Sequence, residues 1–321
     1  PAASKIECIT IPEGVTTISG DAFAGNQYLK KVVFPDSVTT IDGWAFNFCT
    51  KLEEINIPIN CKHIGQYAFN GTVIKHIKIP ATVTNAIMIQ SFQGVPLETI
   101  EVEEGNSYYW VEDGALYTVD NTLLMYAVGR QESEFIVPEE IKFIASSAFE
   151  KALNLRKVTI ASTVETISDY AFYGCPQLED VFIKDGKLKE IQRSAFSDCY
   201  KLKTINVPET VNEIGENAFC QCYALNEIML PEGLKEINSS LFFGCNQLTI
   251  VGIPESVSTI KQGAFYASIP RNIYYSGSEE QWEMIDKGDS DFSESKIFFN
   301  GEICDHIWSN EFTVDKEPRC E

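Results

Sequence analysis

Histidine is scarce in this chain. Its 321 residues hold only three, His63, His76 and His306, and four tryptophans. No glycine-rich phosphate loop, G-x-S-x-G elbow, H-E-x-x-H pair or EF-hand loop occurs. The sequence therefore offers no catalytic constellation and no cofactor or metal site, and it reads as a non-enzyme. Basic residues are also under-represented. Lys and Arg total 25 against 46 Asp and Glu, for a formal charge of −21. A nucleic-acid partner would call for a basic patch, and anionic lipid for a basic face. The acidity instead keeps a long protein soluble. No apolar run approaches the roughly 18 residues a membrane helix needs, so direct membrane insertion is not expected. No Met and no apolar leader open the chain. It begins PAASKIECITIP, and Ile9-Thr10-Ile11-Pro12 already reads as a strand, so a mature or cut piece is expected.

What the chain has in abundance is self-similarity. LNEIMLPEGLKEINSSLF, from Leu225 to Phe242, lies on LKTINVPETVNEIGENAF, from Leu202 to Phe219. The closing Phe recurs at Phe23, Phe46, Phe69, Phe92, Phe149, Phe172, Phe196, Phe219, Phe242 and Phe265. The gaps are 23, 23, 23, 57, 23, 24, 23, 23 and 23, and Ala precedes eight of the ten. A fixed period of this length marks a repeat architecture.

Each unit opens with a segment such as LEEINIP from Leu52 or LKTINVP from Leu202, apolar at positions 1, 4 and 6. Positions 4 and 6 carry the period of a strand. The Pro that often follows has no N–H and ends it. Val-x-x-Ile, as in Val38 to Ile41, supplies two more inward positions. Ala-Phe then follows a polar gap, where one helical turn is expected. A single unit cannot bury its Leu, Ile and Phe. Stacked units can, as columns of like side chains, and a solenoid of this kind lengthens without splitting its core.

The pattern L-x-x-I-x-I-P-x-x-V-x-x-I-x-x-x-A-F-x-x-C, from about Ile9 to Asn300, resembles the leucine-rich repeats of BspA-like bacterial surface antigens. The resemblance implies a curved solenoid whose first strands are parallel and line the concave face. It also implies a secreted or cell-surface protein of gut or oral bacteria, or of some parasitic protists, in a family associated with adhesion.

The 57-residue gap holds extra sequence, about Glu103 to Glu134. Ala115–Val119 and Thr122–Tyr126 read as a hairpin with Asp120-Asn121 at a two-residue tip. The segment is rich in aromatics, and Tyr108, Tyr109 and Trp110 are candidate contacts, with packing against the solenoid as the competing role. A C-terminal cap is expected over about 276–300. In it Ser278 and Gln281 form a capping box, Trp282 and Ile285 share a helix face, and Ile297-Phe298-Phe299 is a last strand. The solenoid thus covers 1–300. The Cys304, His306 and Cys320 tail of residues 301–321 resembles the truncated start of a following Cys/His module.

Of the ten Cys, five (Cys49, Cys175, Cys199, Cys222 and Cys245) lie three residues after a repeat Phe. Asn26, Thr72, Val95, Ala152 and Ser268 fill that slot elsewhere. The position asks for a small residue rather than a sulfur. One Cys per unit in a flat row makes no tetrahedron, so buried free thiols are expected.

Positions 3 and 5 of each first strand point away from the core. In the first half they are mostly charged or polar. In the second half they include Phe182, Met229, Ile250 and Tyr274, with Asp180 and Asn206 among them. An exposed apolar patch marks an interaction site, unless the cap or a further domain folds over it. The leading expectation is a monomeric, adhesin-like recognition module for an extracellular protein ligand. A rigid spacer and a carbohydrate-binding accessory module are the alternatives.

Overall fold

Each unit builds two short strands and a turn. The computed structural model describes residues 5–84, 87 and 90–299; the Cys304, His306 and Cys320 tail lies outside them. First strands stack in parallel and in register. Lys157–Ile160 pairs with Asp180–Ile183, placing Val158 on Val181 and Ile160 on Ile183. Second strands are two residues long and align as well, so that Ile144, Ile167, Ile191 and Ile214 form one column. Leu52, Leu155, Leu178, Leu202, Leu225 and Leu248 fill a further buried column. The result is a parallel β-solenoid of about 12 turns. Burying each such side chain contributes roughly 1.5–3 kcal/mol.

The repeat Phe rings stack through the interior. Centroids of successive rings lie 5.0 Å apart for Phe23–Phe46, 4.6 Å for Phe149–Phe172 and 5.0 Å for Phe172–Phe196. The segment that carries them is not a helical turn. Residues two before and two after each Phe have positive φ, as at Tyr170 (60°) and Gly174 (64°) around Phe172. Glycine occupies the second position in only five of the ten units; Phe48, Lys151, Asp198, Gln221 and Ala267 hold it in the others. A left-handed non-Gly residue costs about 1–2 kcal/mol. Main-chain bonds between units offset that cost. Tyr170, Phe172 and Gly174 N–H groups donate to Arg193, Ala195 and Ser197 carbonyls at 2.9, 2.8 and 2.8 Å. The alternating left-handed residues turn every second N–H along the stack, so the turn side carries its own ladder.

The long gap is not a simple insertion. Its last strand, Thr122–Tyr126, belongs to the solenoid: Thr122 and Leu123 pair in parallel with Phe143 and Ile144. Tyr126 takes the Phe place. Its N–H donates to Ala148 O at 2.8 Å, and its ring stacks on Phe149 at 5.0 Å. Only Tyr109–Glu112 and Ala115–Thr118 are added, as an antiparallel extension. The two-residue turn is Asp113-Gly114, both at positive φ, as a type I′ turn requires. The expected Asp120-Asn121 tip is instead a three-residue loop, Val119 to Asn121, closed by left-handed Asn121.

The Tyr126 turn is short, and a seam opens beside it. Among the described residues no ring stacks on Phe92 from the Tyr126 side. Polar side chains bridge across instead. Gln90 donates to Ser146 and Ser147 at 3.5 and 3.4 Å, and Gln93 donates to buried Glu150. Glu134–Ile136 resumes the first-strand stack, pairing with Lys157–Thr159.

At the C-terminal end the last strand falls one residue earlier than expected, and Ile285 is the extended cap that ends the helix rather than part of its face. Ser278 caps the Glu279–Met284 helix with a complete capping box. Trp282 and Ile285 are buried. Phe292 closes the ring column edge-on against Phe265 and also packs against Trp282. Lys296–Phe298 adds the last strand, paired with Asn272–Tyr274.

Two substitutions separate the packing from the backbone terms. Phe172→Ala removes a ring from mid-column and is expected to cost about 3–5 kcal/mol. Ala267→Gly relieves a left-handed alanine (φ 55°) and is expected to stabilise by about 0.5–1 kcal/mol. Denaturant midpoints of the two variants check both signs.

Candidate binding surface

The first-strand face is charged at one end and apolar at the other. In the first half the charges neutralise one another across strands. Lys31 pairs with Glu54, Lys75 with Glu98 at 2.7 Å and Lys78 with Glu103 at 2.8 Å. His76 Nδ1 and Thr99 Oγ1 share a hydrogen bond of 2.8 Å. Exposed pairs of this kind add little to stability and are screened by salt.

In the second half the position-5 residues align into a row. Strand register places Ile136 beside Thr159 and Thr159 beside Phe182. Further along, Met229, Gly252, Tyr274 and Phe298 lie side by side. Phe182 is 57% exposed and Ile136 65%. The other expected contacts are less free. Met229 is half-buried and its sulfur lies over Gly252. Half-buried Tyr274 stacks on Phe298 at 4.7 Å. Ile250 belongs to the neighbouring row, between Glu227 and Asn272. Burial raises the pKa of Glu227 there.

Asp180 and Asn206 have partners within the fold. Asp180 accepts from Thr204 Oγ1 at 2.7 Å. The Asn206 carboxamide accepts from Ile183 N–H at 2.7 Å and donates to Ile183 O at 2.6 Å. Asn56 does the same to Phe34 at 2.8 and 2.9 Å. In both I-N-[IV]-P units a side chain thus replaces a rung of the ladder. Both first strands there, Glu54–Ile55 and Thr204–Ile205, are only two residues long. Asn206 thus serves the ladder itself through its carboxamide.

The insertion aromatics mostly pack inward. Tyr109 is buried, and its hydroxyl accepts from Ile87 N–H at 3.0 Å. Tyr108 meets Tyr109 edge-on at 4.9 Å. Trp110 stacks one face on buried Tyr117 at 4.1 Å. Of the three, half-buried Tyr108 and Trp110 retain solvent access. The sequence reading missed Ile136 and Phe298 as surface residues. The signal for Ile136 was present, because Glu134-Phe135-Ile136-Val137-Pro138 ends in the same Pro as other units.

The row of cysteines is a main-chain device. Cys49, Cys175, Cys199, Cys222 and Cys245 Sγ donate to the Phe23, Phe149, Phe172, Phe196 and Phe219 carbonyls at 3.0–3.2 Å. All five are buried free thiols. Burial pushes Cys199 and Cys222 well above the ordinary thiol range, and Cys245 up to about 12. Among the described residues no group of three or more His, Cys, Asp or Glu could hold a metal ion.

Parallel first strands, an internal Phe column and a fixed 23-residue unit together describe one repeat type. The sequence pattern described as BspA type leucine rich repeat region matches residues 2–114 and 132–279 in six copies. The chain belongs to the BspA-type leucine-rich repeat family. Among solved structures, a leucine-rich cell surface protein of Faecalibacterium prausnitzii is 27% identical, with a TM-score of 0.62 over 89% of this chain and 83% of that one. The pneumococcal vaccine antigen PcpA shares the fold at 19% identity, with a TM-score of 0.66 over 94% and 90%. A leucine-rich repeat protein of Eubacterium ventriosum does so at 21%, with a TM-score of 0.63 over 90% and 85%. No curated protein matches the sequence. The family's repeat pattern breaks between residues 114 and 132, where the second strand of the added hairpin and the shortened Tyr126 turn lie.

Thiol reactivity tests the cysteine assignment. In the native protein at pH 8, Cys8 is exposed and is expected to react with a maleimide within minutes. Peptides carrying Cys175, Cys199, Cys222 and Cys245 are expected to stay unmodified until denaturant is added. Mass-spectrometric mapping reads both, and native labelling of the four would refute the burial of the row.

Proposed function

We propose that this chain is a protein-recognition module displayed outside the cell, adhesin-like, which binds an extracellular protein through its first-strand face. The observation that carries this reading is the position-5 row from Ile136 to Phe298. It sets exposed Ile136 and Phe182 on one run of paired strands, with Thr159 between them, and Met229, Tyr274 and Phe298 on the next run, with Gly252 between them and Asn206 between the two runs. Eight units at about 4.8 Å per strand give the row a length of roughly 34 Å. Exposed apolar side chains repeated along one face favour a partner, and aromatic side chains are typical anchors. The row holds few fixed hydrogen-bonding groups. That suits an apolar protein surface better than a hydroxyl-rich glycan. Placement outside the cell is supported by family membership and by the cell-surface relative at 27% identity. A second reading, a rigid spacer, is favoured by the column of inter-unit bonds that runs through most of the solenoid.

The double variant Ile136→Ser, Phe182→Ser separates the two. Both side chains are exposed, so the fold should persist by circular dichroism. In a screen of immobilised matrix proteins and mucins at physiological salt, a hit is expected to weaken at least tenfold in the double variant. Unchanged affinity would remove the row as the site. No hit at all would favour the spacer.

A further inference from the structure

The first-strand sheet is broken beside the insertion. Thr99–Val102 pairs with His76–Ile79 on one side. Among the described residues it has no strand partner on the other. The next first strand, Glu134–Ile136, likewise pairs on one side only. Gly129 still follows the stack, donating to Leu97 O at 2.7 Å. The chain then swings out through Arg130 to Ser133 before Glu134–Ile136 begins.

A groove of about 490 Å³ occupies the break. Glu98 to Glu101 form one wall, Gly129 to Glu132 the other, and Val111 and Gly114 close the end. Parallel strands offer alternate residues to each neighbour. Thr99 and Glu103 N–H groups are given to Lys75 and Ile79 carbonyls. The main-chain groups of Ile100 and Val102 therefore face the groove.

Arg130 braces the far wall. Its guanidinium makes two bonds to Glu132, 2.8 and 2.9 Å, and lies against Gly114. A Cβ at Gly114 would sit 1.9 Å from it, so this turn needs glycine twice, for its φ and for the brace. With Arg130 paired, Glu98 held by Lys75 and Lys78 paired with Glu103, Glu101 stands exposed on the near wall next to Lys78, and Glu112, Asp113 and Glu134, the last beside Lys157, leave the rim net negative.

We propose that the open edge of Thr99–Val102 accepts an extended, basic segment of a partner protein, which adds a strand to the sheet in this groove. Edge strands are templates for such pairing, and strand addition is an established mode of peptide recognition. Apolar side chains of the added strand would meet Ile100 and Val111, and its basic ones the acidic rim. A second copy of this chain fits poorly, because its net charge of −21 repeats that of the rim. The inference rests on the reading of the chain as a protein-recognition module, but on a different part of it from the apolar row.

The probe is a seven-residue alternating Lys–Val peptide, with an alternating Lys–Pro peptide of equal charge as control. Proline cannot donate to the open edge, and equal charge cancels general attraction to an acidic protein. The Lys–Val peptide is expected to bind at least tenfold tighter and to slow hydrogen exchange in fragments covering 98–103. Glu101→Lys is expected to weaken it at least fivefold. Phe182→Ser alone, two strands beyond Glu134–Ile136, is expected to leave it unchanged, so this proposal and the apolar row fail separately. Equal affinity for the two peptides, or slowed exchange elsewhere and none at 98–103, would overturn the proposal.

Discussion

The unit-to-unit main-chain ladder on the turn side is the constraint on which the rest depends. In six units, those of Phe46, Phe149, Phe172, Phe196, Phe219 and Phe242, three N–H groups, at the Phe and two residues to either side, donate to carbonyls of the next unit; the Phe23 and Phe69 units make two such bonds and Tyr126 one. This fixes the rise between turns near one strand spacing. Stacked rings at 4.6–5.9 Å then follow, as does the thiol that reaches back to the carbonyl of the preceding Phe. It also accounts for left-handed residues at non-glycine positions. Their strain of about 1–2 kcal/mol each is held by bonds that no other conformation would make. Apart from the shortened Tyr126 turn, length variation goes elsewhere. The one 24-residue unit places its extra residue in the exposed Asp185–Lys187 loop between its two strands, where the ladder is untouched.

Elements that rest on local pattern were legible in the sequence. The Leu and Ile columns, the Phe spacing and the Ser278–Gln281 cap are of this kind, because each depends on residues a few positions apart or on strict repetition. Elements that depend on a substitution within the pattern were not. Tyr126 carries out the Phe role at the end of a shortened turn; it lies 23 residues before Phe149, but Met125-Tyr126 stands there in place of Ala-Phe. The paired left-handed residues were hidden because only half the second positions are glycine. Asn206 looked like an outward contact, since alternation gives the side of a strand and not what a carboxamide does there. Met229 and Tyr274 face outward as alternation requires, yet their neighbours Gly252 and Phe298 cover them in part.

Irregularity and surface character meet at one place. The seam beside Tyr126, the split sheet and the acidic groove all arise from the same departure from the 23-residue unit. It divides the self-neutralised charged half of the first-strand face from the apolar row that starts at Ile136. A regular solenoid offers one repeated surface. The added hairpin and the shortened turn give this one two, an open strand edge and an apolar track, without opening the ring column on either side of the seam.

Hydrogen exchange at the repeat Phe amides tests the ladder most directly. The N–H groups of Phe46, Phe149, Phe172, Phe196 and Phe242, with that of Tyr126, all donate between units. They should exchange orders of magnitude more slowly than the amides of the Asp185–Lys187 loop, and Tyr126 should fall with the Phe set. Exchange of the Phe amides at loop rates would contradict the ladder. Fast exchange at Tyr126 alone would contradict its place in it.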